Sequence, residues 1–194
     1  GGEGRTGSLH RVPLGIILGI TPFNFPLNLA CHKLGPALAA GNACILKPAS
    51  KTPLSSLFLG EAALAAGVPP EAFSVLPCLP ETAEAMVCDP RVSMVSFTGS
   101  PEVGWHLQKI ARTPRVGLEL GGNAAVIVHE DADLAFAAAR IVQGAFSYSG
   151  QACISVQRVL VHHAVYEEVR LMICERAASL VTGDPSAPET DVGP

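Results

Sequence analysis

Residues 12–48 read VPLGIILGITPFNFPLNLACHKLGPALAAGNACILKP, and this stretch sets the expected fold. Its first nine residues form a short apolar run that predicts a buried strand. Apolar residues are dense over 26–40, and Gly41-Asn42 then supplies a helix stop, so a helix is expected before it. Residues 43–48 predict a second buried strand. Two strands joined by a helix indicate a βαβ unit with parallel pairing.

The alternation of apolar strands and helices continues along the chain, which favours a parallel sheet in an α/β fold. Such sheets bind ligands beyond the carboxyl ends of their strands, so the expected binding loops are 21–25, 47–52, 98–104 and 119–123. We expect the later helices over 53–66, 80–88, 100–112, from Asp133 onwards and 164–181, and the later strands over 73–77, 92–97, 115–120, 124–128 and 156–162.

Composition narrows the possible functions. The 194 residues carry a formal net charge of -4, without the basic patch that marks a nucleic-acid partner. No apolar run approaches the roughly 18 residues of a membrane helix, so we expect no membrane span. The six cysteines lie far apart, without zinc-type Cys/His spacing, which predicts free thiols and no bound metal. Free thiols suit a reducing compartment, and a cytoplasmic location is expected.

Cys153 differs from the other cysteines in its surroundings. It follows a Ser149-Gly150-Gln151 break, where a turn can expose the thiol and aim backbone amide dipoles at a thiolate. No Lys, Arg or His is adjacent, and a loop cysteine taken alone is more often inert than catalytic. Core or surface thiols without a function are expected at the remaining positions, Cys31, Cys44, Cys78, Cys88 and Cys174.

Glu119 stands at the end of the strand expected over 115–120, RVGLEL. Strand alternation places Gly117 and Glu119 on one face and the apolar residues on the other. A carboxylate at the end of a buried strand is costly to bury unless it has a task or a partner. A salt bridge at the sheet edge and a catalytic acid or base are both compatible with this position.

Three further strand ends carry candidate contacts to a ligand. Gly99, Ser100 and Gly104 mark a strand–helix junction that could approach a phosphate, although a plain helix start capped by serine fits nearly as well. Lys47 ends a buried strand at a position suited to a ribose or phosphate, and a solvated loop lysine is the alternative. Asn24, between two stiffening prolines, presents an amide that could stabilise an oxyanion or bond its own turn.

Five motifs follow one another along the chain: TPFNFP (21–26), LKPAS (46–50), SFTGSPEVG (96–104), LELGG (118–122) and GQACIS (150–155). Together and in this order they resemble the aldehyde dehydrogenase superfamily. The resemblance covers essentially the whole chain and is nearest to the branch with lactaldehyde, succinate-semialdehyde and non-phosphorylating glyceraldehyde-3-phosphate dehydrogenases. Phe23 departs from the tryptophan that is more common at its place.

The resemblance implies a Rossmann-like parallel-sheet cofactor domain followed by an α/β catalytic domain. On this basis residues 1–13 would belong to an oligomerisation hairpin, 14–121 to part of the cofactor-binding domain and 122–194 to the first part of the catalytic domain. Enzymes of the family are much longer. The chain is therefore expected to be an internal fragment of a homodimer or homotetramer, and the fragment alone is expected to be inactive.

The resemblance also implies a mechanism. Cys153 as thiolate would attack a small aldehyde, with the Asn24 amide and the Cys153 N–H holding the oxyanion. Loss of hydride to NAD(P)+ would turn the thiohemiacetal into a thioester, and Glu119 would activate the water that releases the acid.

Cofactor contacts are implied at three places. Lys47 and Ser50 would contact the adenine ribose, Gly99 and Ser100 the pyrophosphate side, and the backbone of Leu120 the nicotinamide. Many NAD-selective relatives carry Glu at the place of Ser50; with Lys51 beside it, we expect NADP to be accepted at least as well as NAD. The implied cofactor-binding residues are Pro22, Phe23, Asn24, Lys47, Ser50, Lys51, Gly99, Ser100, Gly104 and Leu120.

Two other classes stay open. A CoA-acylating aldehyde dehydrogenase or an acyltransferase would use the same cysteine, although CoA-acylating members often lack the acid that Glu119 supplies. A non-catalytic nucleotide-binding piece is the other alternative for the isolated chain.

Overall fold

A computed structural model describes residues 3–113 and 115–193, and the chain divides into two compact units, Gly1–Glu119 and Leu120–Pro194. Residues 3–15 contain no helix or strand. The oligomerisation hairpin expected over 1–13 therefore stays a prediction, and its first two residues lie outside the described residues, as does Pro194.

The first unit is a parallel sheet with helices between its strands. Each strand and helix predicted in this region is present, and every strand pairing is parallel, which confirms the expected α/β architecture. The strands are β1 (Ile16–Ile20), β2 (Ala43–Lys47), β3 (Phe73–Val75), β4 (Val92–Thr98) and β5 (Val116–Glu119). The helices are α1 (Asn28–Ala39), α2 (Leu54–Ala65), α3 (Pro80–Val87) and α4 (Pro101–Ile110).

The strand order β3-β2-β1-β4-β5 sets the place of a ligand crevice. From β1 the chain proceeds outward through β2 to β3, and then returns to the other side of β1 with β4 and β5. The connection that leaves β1 and the one that leaves β4 therefore run to opposite edges of the sheet. Such a switch point leaves a crevice outside the carboxyl ends of the two strands.

Strand β1 begins four residues later than predicted because the Asn42 side chain binds the backbone just before the strand. The Asn42 side-chain oxygen accepts hydrogen bonds from the N–H groups of Leu14 and Gly15, at 2.6 and 3.0 Å. Gly41, at φ +76°, ends α1 in the left-handed conformation that favours glycine. The two residues predicted as a helix stop therefore end α1 and also fix the start of β1.

The core of this unit lies between α1, α2 and the sheet. Helix α1 contributes Ala30, Leu34 and Ala37, at the i, i+4, i+7 spacing of one helix face. Gly19 lets α1 pack closely, because a Cβ there would lie 3.2 Å from the Lys33 side chain. The cluster is completed by Ile17, Cys44, Leu46 and Phe73.

The second unit pairs a two-stranded parallel sheet with two helices: β6 (Ala124–Val128), α5 (Leu134–Phe146), β7 (Val156–Val161) and α6 (Tyr166–Ala178). Asp133 caps α5, as predicted, by accepting the Phe136 N–H at 3.0 Å. One sheet face packs on the helices around Val128, Ile141 and Val169. In the described part of the chain, no helix has the length and apolar character needed to cross a bilayer.

Candidate active site

A cavity of about 420 Å³ opens at the carboxyl ends of β1 and β4, where the strand order predicts a ligand crevice. Residues that follow β1, β2 and β4 form one side, and α3 and α4 form the other. Six of the ten expected cofactor residues line this cavity: Pro22, Phe23, Lys47, Ser50, Gly99 and Ser100. Four apolar residues of α3 and α4 also line it: Pro80, Ala83, Val103 and Leu107.

Lys47 is a buried cation in the cavity wall. Only 8% of the residue is exposed, so the alternative of a solvated loop lysine is wrong. Its backbone carbonyl accepts the Thr21 N–H at 3.1 Å, which holds the ends of β1 and β2 together. A lysine held in this way can donate to hydroxyl or phosphate oxygens of a ligand in the cavity.

The N-terminus of α4 opens onto the same cavity. Ser100 caps the helix by accepting the Val103 N–H at 3.4 Å, and both residues line the cavity. The positive end of the helix dipole therefore suits an anionic group there. Gly99 packs against Phe97, because a Cβ added to it would lie 2.5 Å from the end of that ring, which would have to shift. Gly104 instead lies buried inside α4, with its N–H bonded to the Ser100 carbonyl.

Two further expected contacts, Lys51 and Leu120, are not among the residues that line the cavity. Lys51 is exposed, with Nζ 6.0 Å from the centre of the Phe23 ring, at the outer limit of a cation–π contact. Leu120 follows β5 as the first residue of the second unit. The polar side chains of Lys47 and Ser50, the apolar lining and the N-terminus of α4 suit the ribose, base and phosphates of a nicotinamide dinucleotide.

Asn24 is partly buried in the turn between β1 and α1. Its side-chain oxygen accepts the Phe25 N–H at 3.1 Å, so the predicted turn bond is present. An oxyanion would need the amide N–H groups instead, so turn bonding and oxyanion binding use different atoms of this side chain.

Lys33 is a candidate site residue that the sequence did not reveal. Its Nζ donates to Oγ1 of Thr98 at 2.8 Å and to Oγ of Ser96 at 3.1 Å. Burial lowers the pKa of Lys33 to about 8, while the charge of Glu119 acts in the opposite direction. One feature of the sequence could have indicated it: Lys33 falls on the buried stripe of α1, beside Leu34.

Glu119 is exposed at the end of β5, directly opposite Thr98 in the parallel register. Side chains paired in this way point to the same face of the sheet. Its carbonyl accepts the Gly99 N–H at 3.0 Å. Lys33, Thr98 and Glu119 therefore form a polar group at the carboxyl ends of β4 and β5.

Cys153 is exposed in the loop between α5 and β7. Cys44, in contrast, is buried, and burial raises the pKa of its thiol to about 11 and keeps it protonated. Cys31 and Cys174 are also exposed, so exposure alone does not distinguish Cys153. Within the described ranges, no group of three or more His, Cys, Asp and Glu side chains is placed to hold a metal ion.

The doubly wound sheet and the cavity at its switch point define a nucleotide-binding α/β protein. The model of the aldehyde dehydrogenase family matches residues 2–194, and the chain belongs to that family.

Curated relatives match the whole chain or nearly so. The 3-sulfolactaldehyde dehydrogenase of Priestia aryabhattai is 47% identical over 195 residues, covering 100% of this chain and 41% of that protein. The lactaldehyde dehydrogenase of Methanococcus maripaludis is 42% identical, covering 95% of this chain and 41% of that protein. The chain thus spans about 41% of the length of these relatives.

Two solved structures share the fold and hold a nicotinamide cofactor. Glyceraldehyde-3-phosphate dehydrogenase GapN from Methanocaldococcus jannaschii, complexed with NADP, has a TM-score of 0.89 and 40% identity, covering 95% of this chain and 42% of that one. The C291A mutant of AldC from Pseudomonas syringae, complexed with NAD+ and octanal, has a TM-score of 0.89 and 36% identity, covering 95% and 39%.

Proposed function

We propose that this chain is part of a longer enzyme that oxidises a short aldehyde to a carboxylic acid with NAD(P)+. The observation that carries the proposal is the cavity at the switch point, whose wall holds six residues expected to contact the cofactor. Membership of the aldehyde dehydrogenase family gives the same reaction class.

The proposed chemistry begins at Cys153. Its thiolate attacks the aldehyde carbon, and the Asn24 amide and the Cys153 N–H hold the oxyanion of the thiohemiacetal. A nicotinamide cofactor held by the cavity residues would supply the hydride acceptor for this oxidation, and a thioester would remain on the Cys153 sulfur. Glu119 then takes a proton from water, and the resulting hydroxide attacks the thioester carbon. The carboxylic acid leaves, and the Cys153 thiolate is restored.

Lys33 holds Thr98 in place beside the proposed base. Its Nζ donates to Oγ1 of Thr98 at 2.8 Å, and Thr98 stands opposite Glu119 in the parallel register of β4 and β5. We therefore assign Lys33 the role of a positioning residue for the carboxyl ends of these two strands.

We propose that NADP is accepted at least as well as NAD. Ser50 lines the cavity beside Lys47, without the negative charge that a glutamate would place there. Lys51 adds a positive charge next to it in the chain, which favours a 2′-phosphate. Side-by-side kinetics with the two cofactors test this, and a strong NAD preference would overturn it.

The named relatives narrow the substrate class. Lactaldehyde, 3-sulfolactaldehyde and glyceraldehyde-3-phosphate are all three-carbon 2-hydroxyaldehydes, and they name two curated relatives and one solved structure. We propose a short aldehyde of this polar class as substrate. A panel that includes lactaldehyde, succinate semialdehyde and octanal, followed by NAD(P)H absorbance, tests the assignment; faster turnover of octanal contradicts it.

Two variants of the full-length enzyme test the mechanism. Cys153→Ala abolishes aldehyde oxidation, whereas Cys174→Ala, which removes another exposed thiol, leaves it intact. Glu119→Gln stalls as an acyl-enzyme that intact-protein mass spectrometry detects. Normal turnover of Glu119→Gln contradicts its role as base. Acid production without CoA separates the proposal from a CoA-acylating enzyme, which needs CoA to release its product.

For the organisation of the enzyme, we propose that residues 14–121 belong to the cofactor-binding domain and 122–194 to the first part of the catalytic domain. The division of the chain after Glu119 supports a boundary there. A homodimer or homotetramer is proposed for the full-length protein. Light scattering measures its mass, and a monomer contradicts that proposal.

A further inference from the structure

Gly122 and the backbone of Cys153 lie in unusually close contact. A Cβ added to Gly122 would lie 2.0 Å from the carbonyl oxygen of Cys153 and 3.1 Å from its carbonyl carbon. Real Cβ contacts essentially never fall below 3.0 Å. The atom in the way belongs to the backbone, so it cannot swing aside as the end of a flexible side chain would. Only glycine fits at position 122.

Ser155, two residues after Cys153, is anchored by hydrogen bonds. Ser155 is 2% exposed, and its Oγ donates to the carbonyl of Ala145 at 3.0 Å. Its N–H donates to the carbonyl of Ala152, also at 3.0 Å. The turn that contains Cys153 is therefore tied to the end of α5.

The segment before Cys153 is conformationally restricted. Tyr148 and Ser149 both have φ of 53°, in the left-handed region that is unfavourable for non-glycine residues, and Gly150 follows at 71°. The Gln151 N–H donates to the Tyr148 carbonyl at 2.9 Å. The Ser149 hydroxyl donates to the Gly193 carbonyl, also at 2.9 Å. Unfavourable conformations persist only where surrounding contacts hold them, so this turn has a defined shape.

We propose that Gly122 is a positioning residue for the Cys153 nucleophile. The close contact fixes the Cys153 carbonyl, while the left-handed turn fixes the chain that enters Cys153. The Cα–Cβ bond that directs the sulfur is thereby held between two constrained peptide groups. The inference rests on the proposed function, since it assigns Gly122 a role through the sulfur that carries out the attack.

The test replaces Gly122 by alanine in the full-length enzyme and compares it with Gly35→Ala. Gly35 lies in α1 with nothing within 4 Å of an added Cβ, so it controls for the extra methyl group. The carbonyl of Cys153 must move by about 1 Å in Gly122→Ala, and a displacement of that size can lower kcat by about 100-fold. The KM for NADP stays within about twofold, because the nucleotide cavity is formed by the other unit.

Alkylation of individual thiols gives a readout that a general loss of stability would not reproduce. Iodoacetamide labelling, followed by peptide mass spectrometry, compares Cys153 with the exposed Cys174 of the same unit. In Gly122→Ala, labelling of Cys153 slows by about tenfold relative to Cys174, because the displaced carbonyl turns the Cα–Cβ bond of Cys153 and carries the thiol out of its exposed position. Labelling in Gly35→Ala matches the parent enzyme. An unchanged ratio in Gly122→Ala overturns the proposal.

Ser155→Ala provides a second variant if Gly122→Ala does not fold. It removes the hydrogen bond to Ala145 without adding bulk, and both kcat and the relative labelling of Cys153 fall, by less than in Gly122→Ala. Parent values for both measurements in this variant overturn the proposal. If the proposed function itself is wrong, Cys153→Ala keeps its activity whatever the result for Gly122→Ala. The failure of the proposed function can therefore be told apart from the failure of the role assigned to Gly122.

Discussion

Lys33 donates a hydrogen bond of 2.8 Å from Nζ to Oγ1 of Thr98, which joins the buried face of α1 to the carboxyl end of β4. The residue is only 7% exposed, and burial is the main cause of its lowered pKa. A buried ammonium with two hydroxyl partners is unusual in a helix stripe that is otherwise apolar.

Lys33 should make stability increase with pH in alkaline solution. Its pKa falls from 10.5 to about 8 on folding, so between these values the unfolded chain binds more protons than the folded one. Lys33 therefore contributes a rise of up to about 3 kcal/mol in the unfolding free energy across this window, and no slope below it. Above about pH 9 the raised pKa of Cys44, whose thiol stays protonated in the folded chain, acts in the opposite direction. Urea unfolding at several pH values measures the effect. Lys33→Met should flatten the slope, and equal slopes in both proteins contradict the prediction.

Gly99→Ala should weaken cofactor binding more than it slows turnover. Its Cβ would meet the ring of Phe97, a buried residue that lines the cavity, so the ring must move. Overpacking of this kind costs about 1–3 kcal/mol, or roughly 5- to 150-fold in the KM for NADP. Initial-rate kinetics separate KM from kcat. If Gly99→Ala has the same KM for NADP as Gly35→Ala, the Phe97 ring has room to move and the prediction is wrong.

Asp133→Ala should destabilise the second unit by about 1 kcal/mol, because α5 loses the carboxylate that accepts the Phe136 N–H. Asp133→Asn is the matched control, since asparagine caps a helix about as well as aspartate. Urea unfolding followed by circular dichroism compares them. If both variants lose the same stability, the charge of Asp133 matters and its capping bond does not.

Ser50→Glu should discriminate against NADP. A carboxylate in the cavity wall would face the 2′-phosphate, and we expect the KM for NADP to rise by about tenfold or more while that for NAD changes little. Ser50→Gln has nearly the same size without the charge. The Gln variant should therefore leave the NADP to NAD ratio close to that of the parent, and a parallel loss in both variants indicates crowding instead.

The fold was predictable because its signals are local. Apolar runs bounded by Gly, Pro and Asn marked each strand and helix, and Gly41-Asn42 was identified as a helix stop. The start of β1 was not, because it depends on a side chain 27 or more residues away, that of Asn42. Lys33 was missed since its partners, Ser96 and Thr98, lie more than 60 residues further along the chain.

The setting of Cys153 could be predicted only in part. The Ser149-Gly150-Gln151 break predicted an exposed turn, and Cys153 is exposed. Nothing in the sequence marks Tyr148 and Ser149 for the left-handed region, because neither residue prefers it. The contact with Gly122 is equally hidden, since a close approach between two backbones has no side chain to signal it.

The central place of β1 has a consequence during synthesis. Its Ile16 pairs with Ala43 on one side and with Val92 on the other, so the second edge must wait for β4 to emerge from the ribosome. Val92 follows Ala43 by 49 residues, so at about 5–20 residues per second the two events are separated by about 2–10 s. Throughout that interval the nascent chain exposes an apolar strand with an unpaired edge, a target for chaperones and for aggregation.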